Sequence, residues 1–319
     1  MYPLLLTAPV KDYLWGGTRL KEEFGFETDA DKCAEAWVLS CHKDGECLVK
    51  NGKYAGMPLS EVLSTWGSKG VGEKAAKFSS FPLLIKLIDA KDRLSVQVHP
   101  NDEYAFVHEG ESGKTEMWYI VDCDEGAELI YGFKRRVSRD EFELRIKTNT
   151  LTDVCNFVPV KKGDVFFIEA GTLHAIGKGI LIAEVQQTSN ATYRIYDYGR
   201  LGADGKPRPL HIEKALAVTD TSPTARTYGA IGESQKYSFG TIRELASCDL
   251  FRTELLSLDG HAGIVTDQDS FEALLILSGS AQIAYGGGNM SVKKGDCVLV
   301  PANYRVTVSG TAEILCAKI

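Results

Sequence analysis

The stretch SVQVHPND, residues 95–102, carries two side chains that could do chemistry together. Gln97 and His99 are two apart, and on a strand such residues share a face. An amide and an imidazole aimed at one point suit a metal shell or a polar pocket. A half-buried strand with one hydrogen-bonded His fits the same spacing. Glu116, in GKTEMWYI, is a carboxylate among apolar residues and needs a cation or a proton there. Lys114 precedes it by two, so on a strand it would share that side. The competing reading is a solvated loop Lys after Gly113. Arg194 and Arg200, in TYRIYDYGR, are a cationic pair suited to an anionic substrate, although an ion pair with Asp197 would also explain Arg194.

The elements that must position these residues read as strands. Short apolar runs such as AELIYGF, GDVFFIEAG, GILIAEVQQ and FEALLILSG are broken by Gly, Asn and Asp. Helical pattern is sparse. PLSEVLSTWG is a short helix closed by Gly67, SRDEFELRIKTN has a Ser138 cap with Glu141 three residues on, and HIEKALAV is a third. The chain of 319 residues is 44% hydrophobic, enough for a large core or two ordinary ones. A net charge of -7 argues against a general nucleic-acid binder. No run of ~20 apolar residues predicts a membrane span, and the N-terminal stretch lacks the pattern of a secretory signal. Eight cysteines are scattered with no C-x-x-C pair, which predicts reduced thiols in a cytoplasmic protein and no zinc site built on Cys. His42, His108 and His261 have no partners at strand or loop spacing, and His211 reads as a helix-cap residue.

An internal repeat organises the chain. VKKGDVFFIEA, from Val160, recurs as VKKGDCVLVPA from Val292, and Glu116 corresponds to Glu272. The unit resembles the second motif of the cupins, which are double-sheet jelly rolls. In that pattern Gly163, Gly171 and His174 stand where the family has Gly, Gly and a metal His, with Glu169 in the usual place of Pro. The second copy has Asn303 and Val306 at the positions of Gly171 and His174. The expected fold is therefore mainly β, two cupin-type jelly rolls with a few peripheral helices. Residues 1–225 would form a catalytic, metal-bearing unit and 226–319 a metal-free one that buries a shared face of the first. Gln97, His99, Glu116 and His174 would then converge on one divalent ion, with zinc or the iron of a two-His-one-carboxylate site both open.

Several segments together resemble type I mannose-6-phosphate isomerase in its short bacterial form: DYLWGGTRL, FPLLIKLIDAKDRLSVQVHPND, GKTEMWYI, GTLHAIG and EVQQTSNATYRIYDYGR. The resemblance implies one zinc per chain on Gln97, His99, Glu116 and His174. It implies an active-site arginine at Arg194, a role in catalysis or binding for Lys114, and Arg200 where long members have a Lys. Asn190 stands where they have Asp, so no acid–base role is carried there. The implied activity interconverts mannose 6-phosphate and fructose 6-phosphate through an enediolate. That reaction needs a metal or arginine for the developing charge, a base for the carbon-bound proton and cations for the phosphate. Two other readings use the same residues: an iron-dependent oxygenase, and a non-catalytic sugar-phosphate-binding cupin. The predicted partner is a small sugar phosphate, with no nucleic acid and no membrane.

Overall fold

A computed structural model describes residues 1–202 and 205–319. Three large antiparallel sheets dominate it. A five-stranded sheet runs in the order Cys155–Pro159, Glu128–Phe133, His174–Ala175, Val96–Val98, Tyr193–Tyr196. A six-stranded sheet runs Val165–Ile168, Glu116–Cys123, Ile180–Gln187, Leu83–Ala90, Glu35–Leu39, Val10–Lys11. The two face each other over Trp15, Ile88, Trp118, Phe166, Ile182 and their neighbours, as in a jelly roll.

The Ile180–Gln187 strand explains how this sandwich carries a site. Leu181, Ala183 and Val185 point outward into a second core, made with Phe271 and with Leu275, Leu299 and Leu315 of the C-terminal sheet. Ile180 and Ile182 point inward, and Glu184 and Gln186 continue that inner face. A strand buried on both sides reads as a nearly unbroken apolar run, which is why ILIAEVQQ and LLIKLIDA look alike. The C-terminal sheet thus covers a face of the sandwich.

The repeat is preserved in register. Ile168 pairs with Glu116, and Val300, its counterpart, pairs with Glu272. The preceding turns match as well. Gly163 and Gly295 sit at φ 90° and 94°. Gly171 has φ 89° and Asn303 has φ 53°, so Asn, which tolerates this region, keeps the turn where Gly is lost. In the second copy Val306 is buried in the sheet, and Glu272 is buried with Lys318 3.7 Å away. His261 lies on the Arg252–Val265 strand rather than in a loop.

The N-terminal strand Leu4–Thr7 lies far from its neighbours in sequence. It pairs with Cys297–Val300 on one side and Leu48–Val49 on the other, inside the nine-stranded sheet built mostly from residues 234–318. The three expected helices form at Leu59–Trp66, Arg139–Lys147 and Ile212–Val218. Ser138 accepts from the Glu141 N–H, and His211 stands at a cap. A further helix, Asp102–His108, follows Pro100, with the Asn101 side chain accepting from the Tyr104 N–H.

Candidate active site and metal centre

The site is set by pairing register. His174 is opposite Gln97, and Gln97 is opposite Arg194, so three neighbouring strands present these residues side by side on one face. Glu116 opens the facing strand and is fully buried. His99 follows the Val96–Val98 strand, its carbonyl accepting from Gly171 N–H at 2.9 Å. His99 Nε2 is 3.6 Å from Glu116 Oε2, and His174 Nε2 is 3.6 Å from Oε1. The Gln97 amide ends 3.4 Å from His174 Nε2.

The outer nitrogens fix the two rings. His99 Nδ1–H donates to the Ala191 carbonyl at 2.9 Å, and His174 Nδ1–H to that of Thr172 at 2.8 Å. Both Nε2 lone pairs therefore face Glu116, the orientation of metal-ligating imidazoles held by backbone carbonyls. Burial and the His99 ring push His174 down to about 3, and burial and Lys114 push His99 down. Both are neutral and able to coordinate. Burial alone would raise Glu116, but Lys114 and His99 hold it well below the carboxylate range. Its Oε1 has no hydrogen-bond partner. An ionised carboxylate with one orphaned oxygen, flanked by two neutral imidazoles, fits a divalent cation. His99, Glu116 and His174 are the one group of three or more such side chains, among the described residues, whose donor atoms converge, all within 4.8 Å.

Lys114 is buried, which excludes the solvated-loop reading. It precedes the strand rather than lying on it, ion-pairs with Glu116 and lies 3.1 Å from His99 Nε2. Beyond it the sequence reading missed a buried polar floor. Glu184 Oε1 is 3.8 Å from Lys114 Nζ and 3.4 Å from Lys86 Nζ, and Lys86 lies 3.9 Å from Glu35. Trp118 Nε1–H donates to Glu184 at 2.8 Å, and Trp37 Nε1–H to Glu35 at 2.7 Å. The signal was present: Lys86 and Glu184 are charges inside the apolar stretches LLIKLI and ILIAEV, and they face each other in register. Burial and Glu116 raise the Glu184 carboxyl, while for Lys86 the carboxylates Glu35 and Glu184 outweigh burial and raise it.

Above this floor opens a cleft of about 280 Å³, with Gln97, Lys114, Asn190 and Arg194 on its walls. Asn190 is held by Glu111 and Asp44. Arg200 is not brought to the cleft. It donates to Asp197 Oδ1 at 2.5 Å and lies 5.5 Å over Tyr198, because Asp197 is only three residues away and captures it locally. Arg208, which the sequence reading did not single out, lines the cleft instead.

Comparison with known proteins agrees with this geometry. A family model described as phosphomannose isomerase type I, catalytic domain, matches residues 4–126, and one described as mannose-6-phosphate isomerase, cupin domain, matches 241–319. A curated mannose-6-phosphate isomerase of Streptococcus mutans is 38% identical over 94% of this chain and 92% of its own length. The chain belongs to the type I mannose-6-phosphate isomerase family. Another family member, mannose-6-phosphate isomerase ManA of Bacillus subtilis, is 38% identical over 94% of this chain and 93% of its own. The crystal structure of the mannose 6-phosphate isomerase from Bacillus subtilis superposes with a TM-score of 0.89 at 35% identity, covering both chains completely. Gln97, His99 and Glu116 fall inside the matched catalytic domain of the family; His174 and Arg194 fall between the two matched regions.

Proposed function

We propose that the cleft between the five- and six-stranded sheets interconverts mannose 6-phosphate and fructose 6-phosphate, with Gln97, His99, Glu116 and His174 holding one zinc ion. The observation that carries this reading is the convergence of two neutral imidazoles on the Glu116 carboxylate, one oxygen of which has no partner, below a wall bearing Arg194. Bound zinc would supply Lewis acidity toward the sugar's carbonyl and hydroxyl oxygens.

The chain's own residues supply the rest. Arg194 uses one guanidinium nitrogen on the Pro209 carbonyl, leaves Nε without a partner and has no carboxylate within ion-pair distance among the described residues. It is therefore available for the charge of an enediolate or for substrate oxygens. Lys114 contacts Glu116 through Nζ and lines the cleft, where it can bind substrate or exchange a proton with it. The surrounding indoles and apolar side chains of the sandwich lower the local dielectric, which strengthens each of these contacts.

An iron oxygenase would use the same two His and Glu but has no need of guanidinium groups on the cleft wall. A non-catalytic binder would not need the complete donor set. The eight free thiols suit a reducing compartment, and we place the enzyme in the cytoplasm. The test is a coupled assay on mannose 6-phosphate with elemental analysis. Turnover should be lost with a chelator, return with zinc, and accompany one zinc per chain. Chelator-resistant turnover, or no turnover in a zinc-loaded protein, refutes it.

A further inference from the structure

Among the described residues, two guanidinium groups, Arg200 and Arg208, share the Asp197 carboxylate, and Arg194 is a third cation near it. Arg208 places Nε 2.7 Å from its Oδ2 and Nη2 2.5 Å from Oδ1, a two-point fork. Arg200 takes Oδ1 from the other side, at 2.5 Å, and also donates to the Arg93 carbonyl. Burial would raise Asp197, but these hydrogen bonds outweigh it and keep the carboxylate ionised. One negative charge is thus shared by two cations. Arg194, the third, is held below the usual guanidinium range by burial and by its neighbour Arg208. Among the described residues, the cleft therefore carries more positive than negative charge where Arg194 and Arg208 line it. Its lining carboxylates, Glu35 and Glu184, are committed at the floor to Lys86 and to the Trp37 and Trp118 indoles.

An excess of positive charge facing a polar cleft is a site for an anion. The substrate carries a phosphate of about −1.5 to −2 charge, remote from the carbons that react. Arg200, by contrast, is spent on Asp197, Tyr198 and a backbone carbonyl, and does not reach the cleft. We propose that Arg208, clamped by Asp197, is the residue that anchors the substrate's phosphate and makes the site select a phosphorylated sugar. This rests on the isomerase reading above. Asp197 is then a positioning residue: it fixes the plane of the guanidinium before substrate arrives and keeps one edge toward the cleft, so less side-chain freedom is lost on binding.

The test uses the zinc-loaded enzyme and two independent readouts: calorimetric titration with inorganic phosphate, and steady-state kinetics on mannose 6-phosphate. A charge-assisted contact to a phosphate sets the scale at roughly tenfold to a hundredfold in affinity. Arg208→Met should weaken phosphate binding and raise KM by about that factor while kcat stays within about threefold, since the group acts far from the reacting carbons. Arg208→Lys keeps the charge but not the fork, and should fall between Met and wild type; its near-native bulk keeps the test open if the Met variant unfolds. Lys147→Met, on an exposed helix, removes the same formal charge and should leave both readouts unchanged. Phosphate affinity and KM within twofold of wild type in both Arg208 variants overturn the proposal. If wild type binds phosphate through Arg208 but does not turn over mannose 6-phosphate, the anchor stands and the isomerase reading fails. If wild type turns over the sugar and Arg208→Met keeps its KM and phosphate affinity, the anchor fails and the isomerase reading stands.

Discussion

Replacing Lys86 with Met removes the central cation of the buried floor and leaves its volume nearly filled. Lys86 is 4% exposed, 3.4 Å from Glu184 and 3.9 Å from Glu35, and stacks 4.9 Å over the Trp37 ring. Breaking a buried ion pair by deleting one partner costs about 3–5 kcal/mol, because the remaining charge is uncompensated. With an unfolding entropy of about 2.1 cal/mol/K per residue, a chain of 319 residues loses about 1.5 °C of Tm per kcal/mol, so the variant should melt about 4–8 °C lower at pH 8. The deficit should shrink on acidification. Burial already raises Glu184 in the folded state, and losing Lys86 raises it further. As pH falls toward 5, the folded variant takes up a proton on Glu184 while the unfolded chain, with an ordinary carboxylate, does not. That uptake stabilises the fold relative to the unfolded state, and the gain is lost again as pH rises through the folded pKa. Calorimetric melts of wild type and Lys86→Met at pH 8 and pH 5 measure both effects. Equal melting at pH 8, or a deficit at pH 5 as large as at pH 8, refutes the argument that Lys86 neutralises the floor.

His99→Ala and His174→Ala should each lose most bound zinc and nearly all turnover, checked by elemental analysis and the coupled assay; stoichiometric metal with normal rates would show the shell is misassigned. Arg194→Ala should keep zinc and fold yet lose kcat/KM by about a hundredfold, a drop in kcat marking a transition-state role and a rise in KM a ground-state one. Glu272→Gln should leave both activity and one zinc per chain unchanged, since its neighbour is Lys318 rather than a donor set; a second equivalent of metal lost on that change would give the C-terminal unit a site of its own.

The repeat made much of this legible. Two copies of one motif implied two cupin units, and a His in one copy against Val306 in the other located the site in the first half. His99, Glu116 and His174 do converge, because strand register follows from alternation and the site occupies one inner face. Lys86 and Glu184 are visible as charges inside apolar stretches but read as part of the strands that carry them. Arg208 was not legible, since its approach to the cleft depends on the path of a loop with no periodicity. Arg200 donates to Asp197, three residues before it, and is not part of the cleft lining. The Asp102–His108 helix was missed for a related reason. Only Ala105 in it is buried, so no apolar stripe marks it.

The pairing of Leu4 with Leu299 imposes an order on biosynthesis. The Leu4–Thr7 strand finds one of its two neighbours, Leu48–Val49, soon after it is made, but the other, Cys297–Val300, is made far later. At about 5–20 residues per second that interval is roughly 15–60 s. The apolar segment LLLT spends most of it with one open edge, and the nine-stranded sheet can close only once the strands Cys297–Val300 and Arg305–Lys318 have been made. Cutting the gene between its two cupin units would therefore leave the later fragment short of the strand that lies against Cys297–Val300, and the two pieces would have to find each other to complete that sheet.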